Sequence, residues 1–369
     1  MDNCRVRSGR CGTLFPGVIA IVDSKRSNRI DMTRRYALLS GARLIPRAPD
    51  TVQIGTDPPH CVVVMDAPRE SLRILGSLDG ATPLGQVLTT HDADPLVWST
   101  LLEQLMAADL LVPVEQAERD SIPAALGAHL TAERSGLTHR HGHGAAGRIM
   151  QARDDALVVV RGRLWMAGSI LSMLAAAGVG HLHHETGPSR ALSPRGTAAR
   201  DAGGPGGVGL LGSSLRQTYP TVRVHPPAAH QHPTLVVLAE GDVPDLGLAA
   251  AYTKRRIPHL AVTAGTARAV VGPLVLPGRS SCLSCAHRHR TDLDPGWPAV
   301  ARQLAQGTSR APVFLATAAA CLAVGQVLDH IDGVAMPSTV NGTLEWRSGD
   351  QAPRRRTWED HPECGCRDG

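Results

Sequence analysis

The chain has 369 residues, 43% hydrophobic, 19% charged and 3% aromatic, with a formal net charge of +5. That length supports two domains with cores of Leu, Val, Ile and Ala; the charge is too small to name a partner, and eight cysteines are too few for a disulfide scaffold. No apolar run reaches the roughly 18 residues of a membrane span, and the few cysteines suit a reducing cytosol, so the expectation is a soluble, cytoplasmic protein with no membrane contact.

Residues 1–41 carry little pattern. "TLFPGVIAIV" (13–22) sits behind basic residues like a short signal core, but it lacks a small-residue cleavage pattern and leads into "SKRSNR". The segment is therefore set outside the fold as an N-terminal extension.

From 42 to 115 extended runs come first and helices afterwards. "TVQIG" (51–55) and "CVVVMDA" (61–67) are β-rich and separated by Asp-Pro-Pro. Three helical stretches follow, "PRESLRILGSLDG", "TPLGQVLTTH" and "DPLVWSTLLEQLMAADLL". In the last, Leu96, Trp98, Leu101, Leu102, Leu105 and Leu110 recur near helical period, and Asp94 stands ready to cap before Pro95. Strands followed by three short helices predict a winged helix-turn-helix.

Between Arg43 and Glu115 there are four basic and ten acidic residues, a net of about −6, and the would-be recognition helix after Asp92 has no Lys or Arg. Phosphate neutralisation supplies nearly all non-specific DNA affinity, which argues against nucleic acid as the partner. The acidic module suits edge pairing with an extended peptide: Val62, Val63, Val64 and Met65 would form the docking strand, with Leu101 and Leu105 of the third helix lining side-chain pockets. A packing module with no ligand is the alternative.

Residues 116–155 read as a polar linker, and His139, His141 and His143 within it as solvated loop rather than a metal site. The second domain, 156–369, opens with "ALVVVRGRLWMAGSILSMLAAAGVGHLHHE": an apolar strand, a turn at Gly162, an apolar helix and a second strand. With "TVRVH", "TLVVLA" and "PHLAVT" as further strands and a helix over "DVPDLGLAAAYTKRR", this predicts an α/β fold, a doubly wound, mostly parallel Rossmann-like sheet. The nucleotide loop is degenerate. Gly162 can stand for the first glycine of G-x-G-x-x-G, but Leu164 and Ala167 occupy the other two glycine positions, and Glu185 is the sole nearby acid for a ribose. This argues against ATP as a cofactor.

Cys282 and Cys285 in "SCLSCAHRHR" and Cys364 and Cys366 in "HPECGCRDG" form two close pairs flanking a helix-rich segment. Four thiolates satisfy tetrahedral Zn2+ with no open position, the structural pattern, with His287, His289 and His361 as substitute ligands. The metal's task would be to pin the tail over the apolar helix at 311–333.

"LVVVRG…LAAAGVG", then "VVGPLVLPGRSSCLSCAHRHRTDLDPGWPAVARQL" (270–304) and "HPECGC" resemble the ThiF/MoeB-like, ubiquitin-activating superfamily, and within it the cyclodehydratase-associated branch that binds precursor leader peptides in thiazole/oxazole-modified peptide biosynthesis. The likeness spans about 42–369 and implies an N-terminal peptide-recognition winged helix. Adenylating relatives activate a carboxylate with ATP, and Leu164 and Ala167 depart from their glycine loop. The resemblance thus implies a non-catalytic scaffold that grips the leader of a ribosomal precursor and presents the core to a YcaO-type, ATP-dependent partner, with a homodimer as one option for its assembly. An active adenylyltransferase and a DNA-binding regulator are the rival readings.

Overall fold

The computed structural model describes residues 19–20, 30–39, 41–56, 60–114, 129–162, 164–185, 205–228, 230–239, 241–305 and 311–367. Its contacts divide the chain into two units, Met1–Arg148 and Ile149–Gly369.

In the first unit, β1 is Ile19–Ala20, β2 Arg35–Leu38, β3 Leu44–Ala48, β4 Thr51–Ile54 and β5 Val62–Val64. Strands β3, β4 and β5 form an antiparallel meander because Pro49 and Asp50 turn the chain and because Val52, Ile54, Val62 and Val64 alternate toward one side. Those side chains pack with Ile74, Leu75, Trp98 and Leu102 in one core.

Helices α1 (Ser71–Gly76), α2 (Leu84–Thr90) and α3 (Pro95–Ala107) follow in the expected order. Asp94 caps α3, its carboxylate accepting from the Leu96 amide at 2.9 Å, with Pro95 in the first turn.

Three sequence expectations need correction here. Strand β2, placed in the N-terminal extension, is the middle of a second sheet, between β6 (Asp79–Pro83) and β7 (Leu111–Pro113), and buries Tyr36. Four residues beside Arg34 are too short a pattern to stand out. Residues 79–80, read as the end of a helix, belong to β6, where Gly80 takes a positive φ of 76°. The described part of the linker is helical: α4 (Leu130–His141) buries Leu137, and α5 (His143–Asp155) follows. His139 and His141 therefore lie on a helix, and the His139 ring meets His60 edge-on at 4.8 Å.

The second unit is built on a seven-stranded sheet of β8 (Leu157–Gly162), β9 (His181–Glu185), β10 (Leu235–Ala239), β11 (His259–Ala264), β12 (Arg268–Val275), β13 (Gly342–Arg347) and β14 (Arg354–Thr357), in the order β14-β13-β12-β11-β10-β8-β9. The pairs among β9, β8, β10 and β11 are parallel and those from β11 to β14 antiparallel, so the sheet is mixed rather than mostly parallel. The expected strand at 221–225 reduces to one bridge, His181 to Arg223.

Strand β8 reads as a continuous apolar run because both faces are covered. Val158 and Val160 join a core with α6 (Leu164–Ala176) and α11 (Val313–Asp332), while Leu157 and Val159 join another with α8 (Leu246–Lys254) and α9 (Leu283–Leu293). Helix α7 (Pro205–Thr218) sends Leu215 into the first of these cores, and α10 (Trp297–Leu304) follows α9. By length and composition α11 could cross a membrane, contrary to the expectation that no apolar run is long enough, but Ala319, Ala320, Ala323 and Val327 are fully buried in the core it forms with the sheet. Arg153 of α5 is buried and ties this core together: it makes two 2.7 Å bonds to the Asp332 carboxylate and donates to the Ala177 carbonyl at 3.0 Å.

Candidate functional site

The four cysteines selected by spacing converge. Cys282 is the N-cap of α9 and Cys285 lies in its first turn, where the helix dipole favours thiolate at Cys285. The tail brings Cys364 to 3.5 Å from Cys282 and Cys366 to 3.5 Å from Cys285, and the Cys282–Cys285 sulfur distance is 3.8 Å. A tetrahedron with Zn–S bonds of about 2.3 Å has edges of about 3.8 Å, so the donor set fits that ion.

Packed together, the thiols ionise unequally. The hydrogen bond from Cys282 draws Cys285 down to about 4, that same bond and then burial push Cys282 up, and burial pushes Cys366 up to about 12. A divalent cation would let all four ionise together by displacing their protons.

The histidines considered as substitute ligands are engaged elsewhere. His287 Nδ1 accepts from the Trp297 indole at 3.1 Å, and His289 Nε2 lies 3.0 Å from the Glu359 carbonyl. His361 Nε2 lies 2.9 Å from Asp292, and its Nδ1 accepts from the Glu363 amide at 3.1 Å. His289, Asp292 and His361 form a second close group, but both ring nitrogens of His361 are already used.

On the degenerate loop, Gly162 has φ 152°, and a Cβ there would lie 2.3 Å from the Ala239 carbonyl oxygen. The glycine is thus required by close approach to β10, whatever else it does. His184 Nε2 lies 2.9 Å from the Gly162 carbonyl.

Arg161, the residue before it, pairs with Glu185 at 3.4 Å and hydrogen-bonds Tyr252. Burial and then the Glu185 charge raise the Tyr252 pKa, and Arg161 opposes them. Sequence reasoning singled out Glu185 but not its two partners. The available signal was an arginine ending an otherwise apolar strand.

In the first unit, Val62 and Val64 are buried, Val63 is half-buried and Met65 is 49% exposed. Leu105 is fully buried and Leu101 nearly so, and both belong to the core. The side of β5 away from β4 is met over two residues by β1, which pairs in parallel through Ile19 with Val62 and Ala20 with Val63.

The mixed α/β architecture matches the fold of MccB. No family model and no curated protein sequence matches the chain. Among solved structures it is similar to E. coli MccB with ATP, at a TM-score of 0.57 and 14% identity over 90% of this chain and 99% of that one. It is similar as well to the microcin C7 biosynthetic enzyme MccB in complex with N-formylated MccA, at 0.57 and 14% over the same shares. A heterocyclase in complex with substrate and cofactor matches at 0.53 and 15%, over 90% of this chain and 39% of that one. Since MccB was solved with ATP, the fold gives no argument against nucleotide, and the expectation of no ATP in this chain rests on its own loop residues.

Proposed function

We propose that the protein is the non-catalytic recognition subunit of an azoline-forming cyclodehydratase. It grips the leader of a ribosomal precursor peptide in the first unit, a winged helix in this reading, and presents the core to a separate YcaO-type partner that carries the ATP-dependent chemistry. The observation that carries this reading is the engagement of Glu185 by Arg161, which Tyr252 also binds. A carboxylate committed to a neighbouring guanidinium is poorly placed to hold a ribose, and Leu164 and Ala167 stand where backbone should approach phosphate.

The neighbours support a peptide ligand, because one is MccB with MccA and another a heterocyclase with its substrate. The docking strand is β5, where Val63 and, just past the strand's end, Met65 offer side chains and a leader would take over the two-residue contact of β1. The four thiolates, held by structural zinc, would fasten the tail to the start of α9, the metal supplying cross-linking rather than an open catalytic position.

A second reading, an adenylyltransferase that activates a carboxylate, is favoured by the likeness to MccB with ATP. ATP–pyrophosphate exchange by the isolated protein separates the two. The scaffold shows none above background, and exchange that co-purifies with a homogeneous sample of the folded protein would establish the enzyme instead. Leader binding, followed by fluorescence anisotropy, should weaken at least tenfold in Val63→Pro and in the surface variant Met65→Asp. Unchanged affinity in both would reject the β5 site.

A further inference from the structure

The antiparallel end of the large sheet finishes in β14, whose four residues, Arg354 to Thr357, are all exposed. Its register sets Arg356 opposite Thr343 and Arg354 opposite Glu345, and the next pair of strands sets Arg347 opposite Arg268. Because side chains alternate with period two, Arg354, Arg356, Arg347 and Arg268 share one face. Helix α9 brings Arg290 to that face, 4.9 Å from the Trp358 ring centroid and 5.4 Å from that of Trp297, while Arg356 lies 4.2 Å from Trp358.

Among the described residues, two carboxylates answer these five cations. Glu345 pairs with Arg268 at 3.7 Å and Asp350 with Arg354 at 3.5 Å. Among the described residues no carboxylate lies within ion-pair distance of Arg290, Arg347 or Arg356. Burial foremost, then repulsion from Arg268 and Arg356, holds the Arg290 pKa below its ordinary value, with Glu345 opposing. Clustered like charge on a partly buried surface is costly, and an anionic partner relieves it.

Charged residues on an edge strand can serve merely to ward off other strands. Here Arg290 and Arg356 converge on the Trp358 indole beside a sheet edge that no other described strand pairs, which suits a ligand that brings both carboxylates and a β-backbone. We propose that β14 is a docking strand for an acidic, extended polypeptide segment, which adds as an eighth strand with Asp or Glu at alternate positions facing Arg354 and Arg356. This surface lies in a different unit from β5, and the inference does not rest on leader recognition.

The test uses the full-length protein and a fluorescein-labelled octapeptide of alternating Glu and Val, read by anisotropy. Binding should weaken at least tenfold in Arg354→Glu/Arg356→Glu, whose side chains are at the surface and whose fold circular dichroism would verify. It should also weaken at least tenfold for the same peptide with every amide N-methylated, which keeps the charge and loses the donors. No binding, equal binding of the methylated peptide, or indifference to the double substitution overturns the proposal. So does tighter binding of a twelve-residue oligo-dT through the same arginines, which would make the surface one for single-stranded nucleic acid.

Discussion

Replacing Arg153 by methionine should be among the most damaging single changes in the second unit. The guanidinium is 2% exposed and makes two 2.7 Å bonds to Asp332, itself 11% exposed, and one of 3.0 Å to the Ala177 carbonyl. Methionine keeps much of the volume and removes all three bonds. It leaves a carboxylate without its cation at the last residue of α11, where the helix dipole already disfavours negative charge. Removing one partner of a buried pair costs about 3–5 kcal/mol, and a unit of this size loses roughly 2–4 °C per kcal/mol, so even the lower figure lowers the melting temperature by about 6–12 °C. Thermal unfolding of Arg153→Met and of Arg153→Met/Asp332→Leu provides the check, because removing both charges should recover most of the loss. A single variant within about 2 °C of the parent, or a double variant no better than the single, would refute the argument.

Other predictions follow from the remaining sites. Metal analysis of the purified protein should find one zinc per chain, with Cys285→Ser or prolonged chelation lowering both zinc content and melting temperature; stability unaffected by chelator would sink the assignment. Burial holds the pKa values of His181, His183, His259 and His330 below the ordinary 6.5, so the unfolded chain takes up protons first as pH falls. Stability from these groups is present above about pH 6.5 and lost on acidification through the folded values, and thermal melts from pH 7.5 to 5.5 should show a steady fall. Gly162→Ala should destabilise even with no nucleotide present, since its Cβ would meet the Ala239 carbonyl oxygen at 2.3 Å, and denaturant unfolding without ATP would show whether that holds.

The parts legible in the sequence were those whose cause is local. Leu157 to Val160 reads as a strand because each residue is apolar, Asp94-Pro95 fixes a helix start by its own chemistry, and cysteine pairs announce themselves by spacing. What escaped depends on partners far along the chain. Arg161 looks like an interruption until Glu185 and Tyr252 are beside it. Strand β14 is four polar residues whose extended conformation comes from pairing with β13. Helices α4 and α5 carry so many charged residues, histidines and glycines that their apolar positions, such as Leu137 and Ile149, do not repeat often enough to declare a face.

The sulfurs of the cysteine tetrad bridge positions 81 and 82 residues apart. A ribosome that has not yet passed Cys366 has delivered an incomplete ligand set, so capture of an ion by all four thiols would wait until almost the entire second unit, as far as Cys366, has been synthesised. Once made, the linkage removes a loop-closure entropy that an unlinked coil would retain, and a chain trimmed before Cys364 forfeits it. Metal occupancy would then report that synthesis has passed Cys366, readable by any assay that counts bound ions.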